Sequence, residues 1–137
     1  MARRKKKRNY VIKTTVDNIE FASETEAIYY KLFKKMKNIK ILDIQKTFVL
    51  APPFKYYGFN KKYEITKKSF PNMEYTPDFI IEIEGIDKPI AVEIKGHARP
   101  IYKMRKKIFI REYSDEYYFI ELKREHLKEF EDKFGGE

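Results

Sequence analysis

Apolar and polar residues alternate most cleanly over residues 76–84 and 88–95. In the first stretch Phe79, Ile81 and Ile83 share one side, with Asp78, Ile80, Glu82 and Glu84 on the other. In the second, Ile90, Val92 and Ile94 oppose Ala91, Glu93 and Lys95. A period of two is the signature of a strand, and Gly85-Ile86-Asp87 between the stretches predicts a turn and hence a hairpin. With Glu84 and Asp87 flanking that turn, antiparallel partners have numbers summing to 171. Asp78 then faces Glu93, and Thr76 faces Lys95.

Other segments follow by the same reading. Residues 10–16 are β-branched and predict a short strand, turned at Asp17-Asn18 into a return over 19–21. Ser23-Glu24-Thr25-Glu26 is a capping box that opens a helix running to about Lys37-Asn38, with Tyr30, Phe33 and Met36 at helical spacing. Residues 39–50 read as one strand, stopped by Pro52-Pro53. Residues 54–73 are dense in lysine and aromatics, and 56–66 predict a hairpin bent at Gly58 or Asn60. Pro100 suits the first turn of a helix over 100–113. A strand over 117–122 and a short helix over 125–134 complete the chain. In that last helix Leu127, Phe130 and Phe134 face inward, and Gly135-Gly136 ends it. The order β, α, several strands, then α, β, α predicts an α/β or α+β sandwich around one mixed sheet.

Composition narrows the class. At 137 residues the chain has room for one folded domain, expected over 10–137 behind a disordered basic tail at 1–9. There is no cysteine, which excludes disulfides, a thiol nucleophile and Cys-ligated zinc or iron–sulfur sites. That fits a reducing cytoplasm. No apolar run approaches the roughly 20 residues of a membrane span, and no apolar segment follows the basic start as in a secretory signal. The expected location is cytoplasmic, with no membrane partner.

Net charge is +9, which suggests a polyanionic partner. Arg3, Arg4, Lys5, Lys6, Lys7 and Arg8 hold much of it. Without those six, the 30 basic residues fall to 24 against 21 acidic. The run is either a solubilising tail or an arm that grips phosphate without reading sequence. A second basic run, Arg99, Lys103, Arg105, Lys106, Lys107 and Arg111, holds no acidic residue and is the better defined contact surface. Its plain alternative is a solvated helix face.

The hairpin carries the chemistry. Directly opposed residues have Cβ atoms about 4.5–5.5 Å apart, and Glu93 and Lys95 stand about 6.6–6.8 Å apart along one strand face. Asp78, Glu93 and Lys95 therefore meet at one end of one face. Two adjacent carboxylates repel unless a cation lies between them. Their oxygens suit Mg²⁺, with Mn²⁺ as substitute, and a lysine beside them can orient or deprotonate a bound water or stabilise phosphate charge. The plain alternative is a surface cross-strand ion pair.

The motif text sharpens this. Thr76-Pro77-Asp78-Phe79 followed by Val92-Glu93-Ile94-Lys95-Gly96 resembles the signature of the PD-(D/E)xK nuclease superfamily. Phe21-Ala22-Ser23-Glu24-Thr25-Glu26-Ala27, Gln45 in the next strand, and Tyr75 before the motif extend the likeness to small phage and prophage endonucleases of the Holliday-junction-resolvase-like kind. The likeness runs over most of residues 21–122. It implies a restriction-endonuclease-like core, a central mixed β-sheet flanked by helices. It implies Asp78 and Glu93 as Mg²⁺ ligands with the Ile94 carbonyl as a third, Lys95 serving the attacking water, and Glu26 from the first helix completing the shell.

The expected function is thus a Mg²⁺-dependent endodeoxyribonuclease acting on branched or junction DNA, in phage recombination, replication or packaging. Symmetric cutting of two strands would call for a homodimer. Lys103, Lys106, Lys107 and Arg111 would hold phosphate beside the site, and Gln45 and His97 are further site candidates. The rivals are a nuclease subunit of a transposition or restriction complex and, from another class, a non-catalytic nucleic-acid-binding module. The aromatic-lysine segment could stack on unpaired bases, form a dimer interface or cover the core. The last two are the favoured readings.

Overall fold

The computed structural model describes residues 13–95 and 99–135. Arg3 to Arg8 and His97 lie outside those residues. Four strands, each within a predicted one, build a mixed sheet: β3 (Ile39–Ile44), β8 (Phe79–Ile83), β9 (Ile90–Ile94) and β10 (Tyr118–Leu122), in the order β10-β9-β8-β3. β8 (Phe79–Ile83) and β9 (Ile90–Ile94) form the expected hairpin, with Phe79 opposite Val92 and Ile81 opposite Ile90, so the predicted register holds. The strand residues proper are fewer than the alternation suggested. Gly85 takes φ 92° at the turn, a left-handed conformation that costs glycine nothing.

β3 (Ile39–Ile44) pairs antiparallel with β8, and β10 (Tyr118–Leu122) pairs parallel with β9. Parallel neighbours need a long crossover, which α2 (Pro100–Tyr113) supplies. α1 (Glu24–Lys35) and α3 (Leu127–Phe134), the latter entered through a 3₁₀ turn at Arg124–His126, cover one face. There Tyr29, Phe33 and Phe130 pack with Phe79, Ile81, Val92 and Ile94. On the other face Ile80 and Ala91 pack under Tyr102 and Phe109 of α2 and Phe48, Leu50 and Tyr75. The sheet is buried on both sides, which explains why β8 and β9 read almost wholly apolar.

Three two-stranded pairs surround this sheet: β1 (Thr14–Val16) with β2 (Ile19–Phe21), β4 (Phe48–Ala51) with β7 (Met73–Tyr75), and β5 (Phe54–Phe59) with β6 (Ile65–Phe70). Asp17 and Asn18 both take positive φ, as the tight β1–β2 turn requires.

Several expectations change. The strand expected over 39–50 is two strands in two different sheets. Gln45, at φ 56°, breaks it and therefore sits past the end of β3 rather than within a strand. Its N–H donates to the Asp78 carbonyl at 3.0 Å, which holds the kink. Residues 76–78 likewise leave β8, because Pro77 has no N–H for the ladder and marks the crossing from the β4–β7 pair to the main sheet. The hairpin at 56–66 is longer than expected and bends over 60–64, so Gly58 is a mid-strand residue. α1 stops at Lys35, earlier than expected. β5–β6 does not cover the core: Phe54, Tyr57, Phe59, Ile65 and Phe70 are exposed.

Candidate functional site

Asp78 is held at the mouth of the hairpin by backbone bonds on both sides. Its N–H donates to Val92 O at 2.9 Å and its carbonyl accepts from Gln45. Its carboxylate then turns back to accept the Ile94 N–H at 2.7 Å. In extended backbone the N–H and C=O of one residue point the same way, so the Ile94 carbonyl faces Asp78 as well.

Glu93 stands opposite, on the α2 face of β9, and is only 7% exposed. It has two partners. The buried Tyr75 hydroxyl donates to one carboxylate oxygen, and Lys95 Nζ lies 3.6 Å from the other. Lys95 also lies 4.4 Å from the centre of the Tyr102 ring, a cation–π contact that fixes its stem over α2.

Glu26 arrives from the first turn of α1. The capping box forms in part: Ser23 Oγ accepts the Glu26 N–H at 3.1 Å. The Glu26 carboxylate accepts from the Ser23 hydroxyl at 3.1 Å and reaches toward Asp78, so it caps and joins the cluster at once. It too is 7% exposed.

Three buried carboxylates thus lie near enough to influence one another, and their electrostatics record it. Burial raises all three, and Asp78 is pushed up to about 8 by burial together with the negative charges of Glu93 and Glu26. The Ile94 N–H on Asp78, and Tyr75 and Lys95 on Glu93, oppose the rise without cancelling it.

Glu121 is the instructive contrast. It pairs with Glu93 across the parallel β9–β10 register and so points to the same face. Burial pushes it up, but hydrogen bonds from Tyr102 and from Lys106, the latter at 3.1 Å, outweigh burial and leave it below the usual carboxylate range. One carboxylate in this region is fully compensated and the three inner ones are not.

The three inner groups offer hard oxygen donors with surplus negative charge, the environment that a divalent cation relieves. Among the described residues no group of three or more His, Cys, Asp or Glu side chains is arranged to hold a metal ion, so an ion here would draw these carboxylates together as it bound. Asp78, Glu93, Glu26 and the Ile94 carbonyl are the groups that could hold such an ion.

A cleft of about 1100 Å³ opens beside them, lined by Glu26, Glu93, Lys95, Arg99, Arg105 and the base of the β5–β6 hairpin. Of the helical cations predicted to contact phosphate, Lys103, Lys107 and Arg111 recur every fourth residue as one exposed stripe. Arg111 pairs with Glu112 at 3.1 Å. Lys106 is half-buried and tied to Glu121, so it braces the site's wall. Gln45 contributes its backbone to the site, and its side chain is exposed. Sequence reading named Tyr75 within the motif text without giving it a role, and it missed Tyr102 and Glu121. An acidic residue inside the otherwise apolar strand 118–122 was the available signal for Glu121.

These features define a class: a small α/β protein with, among the described residues, a mixed sheet, three α-helices and buried carboxylates at the mouth of its central hairpin. The chain belongs to the family described as "Protein of unknown function (DUF1064)", which matches residues 5–128 and so spans Glu26, Asp78, Glu93 and Lys95. No curated protein and no solved structure matches it. No helix among the described residues is long and apolar enough to cross a membrane.

Proposed function

We propose that this protein is a metal-dependent endonuclease of the PD-(D/E)xK kind, built on a restriction-endonuclease-like core. The observation that carries the reading is the convergence of Asp78, Glu93 and Glu26, all raised in pKa, with Lys95 at 3.6 Å from Glu93. A pure phosphate-binding module gains nothing from three buried carboxylates, because they repel the ligand.

The donor set fits Mg²⁺: all-oxygen, anionic and beside a cleft. Bound there, Mg²⁺ would supply Lewis-acid polarisation of the phosphate and a lowered pKa for a coordinated water. The protein's own groups do the rest. Asp78 and Glu93 would hold the ion with the Ile94 carbonyl, and Glu26 would brace Asp78. The Lys95 ammonium, aligned by Glu93 and the Tyr102 ring, donates to the attacking water or to a phosphate oxygen as charge builds in the transition state. Arg99 and Arg105 line the path of the DNA backbone. Branched or junction DNA is the preferred substrate, and paired cuts on it would need two copies of the chain.

Linear, flapped, Y-shaped and four-way DNA incubated with Mg²⁺ test the reading. Cleavage of at least one is expected, with Asp78→Asn and Lys95→Ala each lowering the rate by about a hundredfold or more while binding in Ca²⁺ persists. Equal cutting by the wild type and both variants would overturn the mechanism. No cutting of any substrate would favour a binding module.

A further inference from the structure

The β5–β6 hairpin is an arm. Among the described residues its strands pair with each other and join no other sheet. Alternation gives it two different faces. On one, Phe54, Tyr56 and Phe70 pack together, Tyr56 and Phe70 stacked with centroids 5.1 Å apart. Phe54 and Phe70 also line the acidic cleft. The opposite face carries Tyr57, Phe59 and Ile65, exposed by 71%, 63% and 66%, with Lys55 and Lys67 between them.

The tip is ordered by Asn60, whose side-chain oxygen accepts the N–H groups of Lys62 and Glu64, both at 2.9 Å. That turn presents Tyr63, 86% exposed. Across residues 54–70 five lysines stand against Glu64 alone.

We infer that this arm binds unpaired DNA strands and delivers them to the acidic cleft. The inference rests on the nuclease reading for its destination, and it names the substrate class: DNA with single-stranded segments next to the cut. Charge selects a polyanion, because the arm is strongly basic where the rest of the described chain is nearly balanced. The aromatic rings select unpaired bases. Tyr57 and Phe59 are two residues apart on one strand face, about 6.6–6.8 Å, which leaves room for one base stacked between two rings. A base inside a duplex has no free face to offer. Continuity selects the destination, since the base of the arm at Phe54 and Phe70 lines the same cleft as Lys95.

The test is binding alone, in EDTA, where cleavage cannot contribute. The full chain and its Tyr57→Ala/Phe59→Ala variant are titrated with fluorescent oligo-thymidylate and with a duplex of equal length. The variant is expected to lose about tenfold or more in affinity for the single strand and to keep duplex affinity within about twofold. Unchanged single-strand affinity, or equal losses on both DNAs, overturns the inference. So does a wild-type dimer that the variant converts to monomers in sedimentation, since the rings then serve a second copy. Binding of the wild type to anionic vesicles, abolished in the variant, with no preference for the single strand, also overturns it. Loss of single-strand affinity with no cleavage under Mg²⁺ keeps the arm and removes the nuclease reading, so the two stand or fall separately.

Discussion

Two antiparallel hairpins of similar length, β8–β9 and β5–β6, meet opposite fates in this molecule. β8–β9 has β3 on one edge, β10 on the other and helices over both faces, and nearly all its side chains are buried. Among the described residues β5–β6 pairs with no further strand, and Phe54, Tyr57, Phe59 and Phe70 are exposed. Composition separates them: eight of the ten strand residues of β8–β9 are apolar, against six of the twelve in β5–β6. The kind of residue widens the gap, because Ile, Val and Ala have no polar atom to keep wet, whereas Tyr and Lys bury a stem and hold a polar tip in water. Lysines along β5–β6 also discourage edge-to-edge pairing with other chains. The buried hairpin holds the carboxylates rigidly, and the free one is left available to a ligand.

The sharpest way to break that comparison is one substitution in each hairpin. Phe79 is fully buried and meets Phe21 and Phe33. Phe79→Ala should cost about 3–5 kcal/mol in urea unfolding, through lost transfer energy and the cavity left behind. Tyr57→Ala should change stability by no more than about 0.5 kcal/mol. Comparable losses would mean that the arm packs into the body after all.

The same contrast explains what could be read in advance. The β8–β9 register was legible because a one-residue slip would throw every buried side chain to the wrong face. Asp78, Glu93 and Lys95 follow from that register alone. Glu26 was legible through local capping. Tyr75 and Glu121 were not, because their positions depend on the β4–β7 pairing and the parallel β9–β10 pairing, which join distant segments. The break at Gln45 was hidden since a left-handed residue there is neither Gly nor Asn. The fate of β5–β6 was hidden for another reason: aromatic residues on both faces fit a covering layer as well as a free arm.

A second, smaller effect tests whether the buried hairpin carries uncompensated charge. Asp78 titrates near 3.8 when unfolded and about 8 when folded. Between these values the native chain holds a proton that the unfolded chain has released, so stability falls as pH rises. Below about 4 both states are protonated and the cost vanishes; above about 8 it is complete. Glu26 and Glu93, also raised, act in the same direction. Without divalent metal, the protein should therefore be less stable at about pH 8.5 than at about pH 5, by on the order of a few kcal/mol. Asp78→Asn should flatten the slope and raise stability at the higher pH. Adding Mg²⁺ at that pH should stabilise the wild type more than the variant. A wild type that gains stability with pH would show the cluster to be compensated already.

The smallest effect compares one kind of bond at the two ends of the buried hairpin. The Tyr75 hydroxyl donates to Glu93 within the site, and the Tyr118 hydroxyl donates to Asp87 at 2.8 Å beside the turn, in solvent. Each is a phenol on a carboxylate, so chemistry is held constant and burial varies. Removing the first leaves a buried carboxylate short of a donor, at a cost of about 1.5–3 kcal/mol. Removing the second hands Asp87 to water. Tyr118→Phe should therefore change unfolding free energy by less than about 0.5 kcal/mol, against the larger loss for Tyr75→Phe. Tyr75→Phe should also steepen the pH slope, because Glu93 loses a partner that favours its charged form. Equal and small effects at both tyrosines would mean that water reaches Glu93 as freely as Asp87, and the hairpin's two ends would no longer differ in the way the buried site requires.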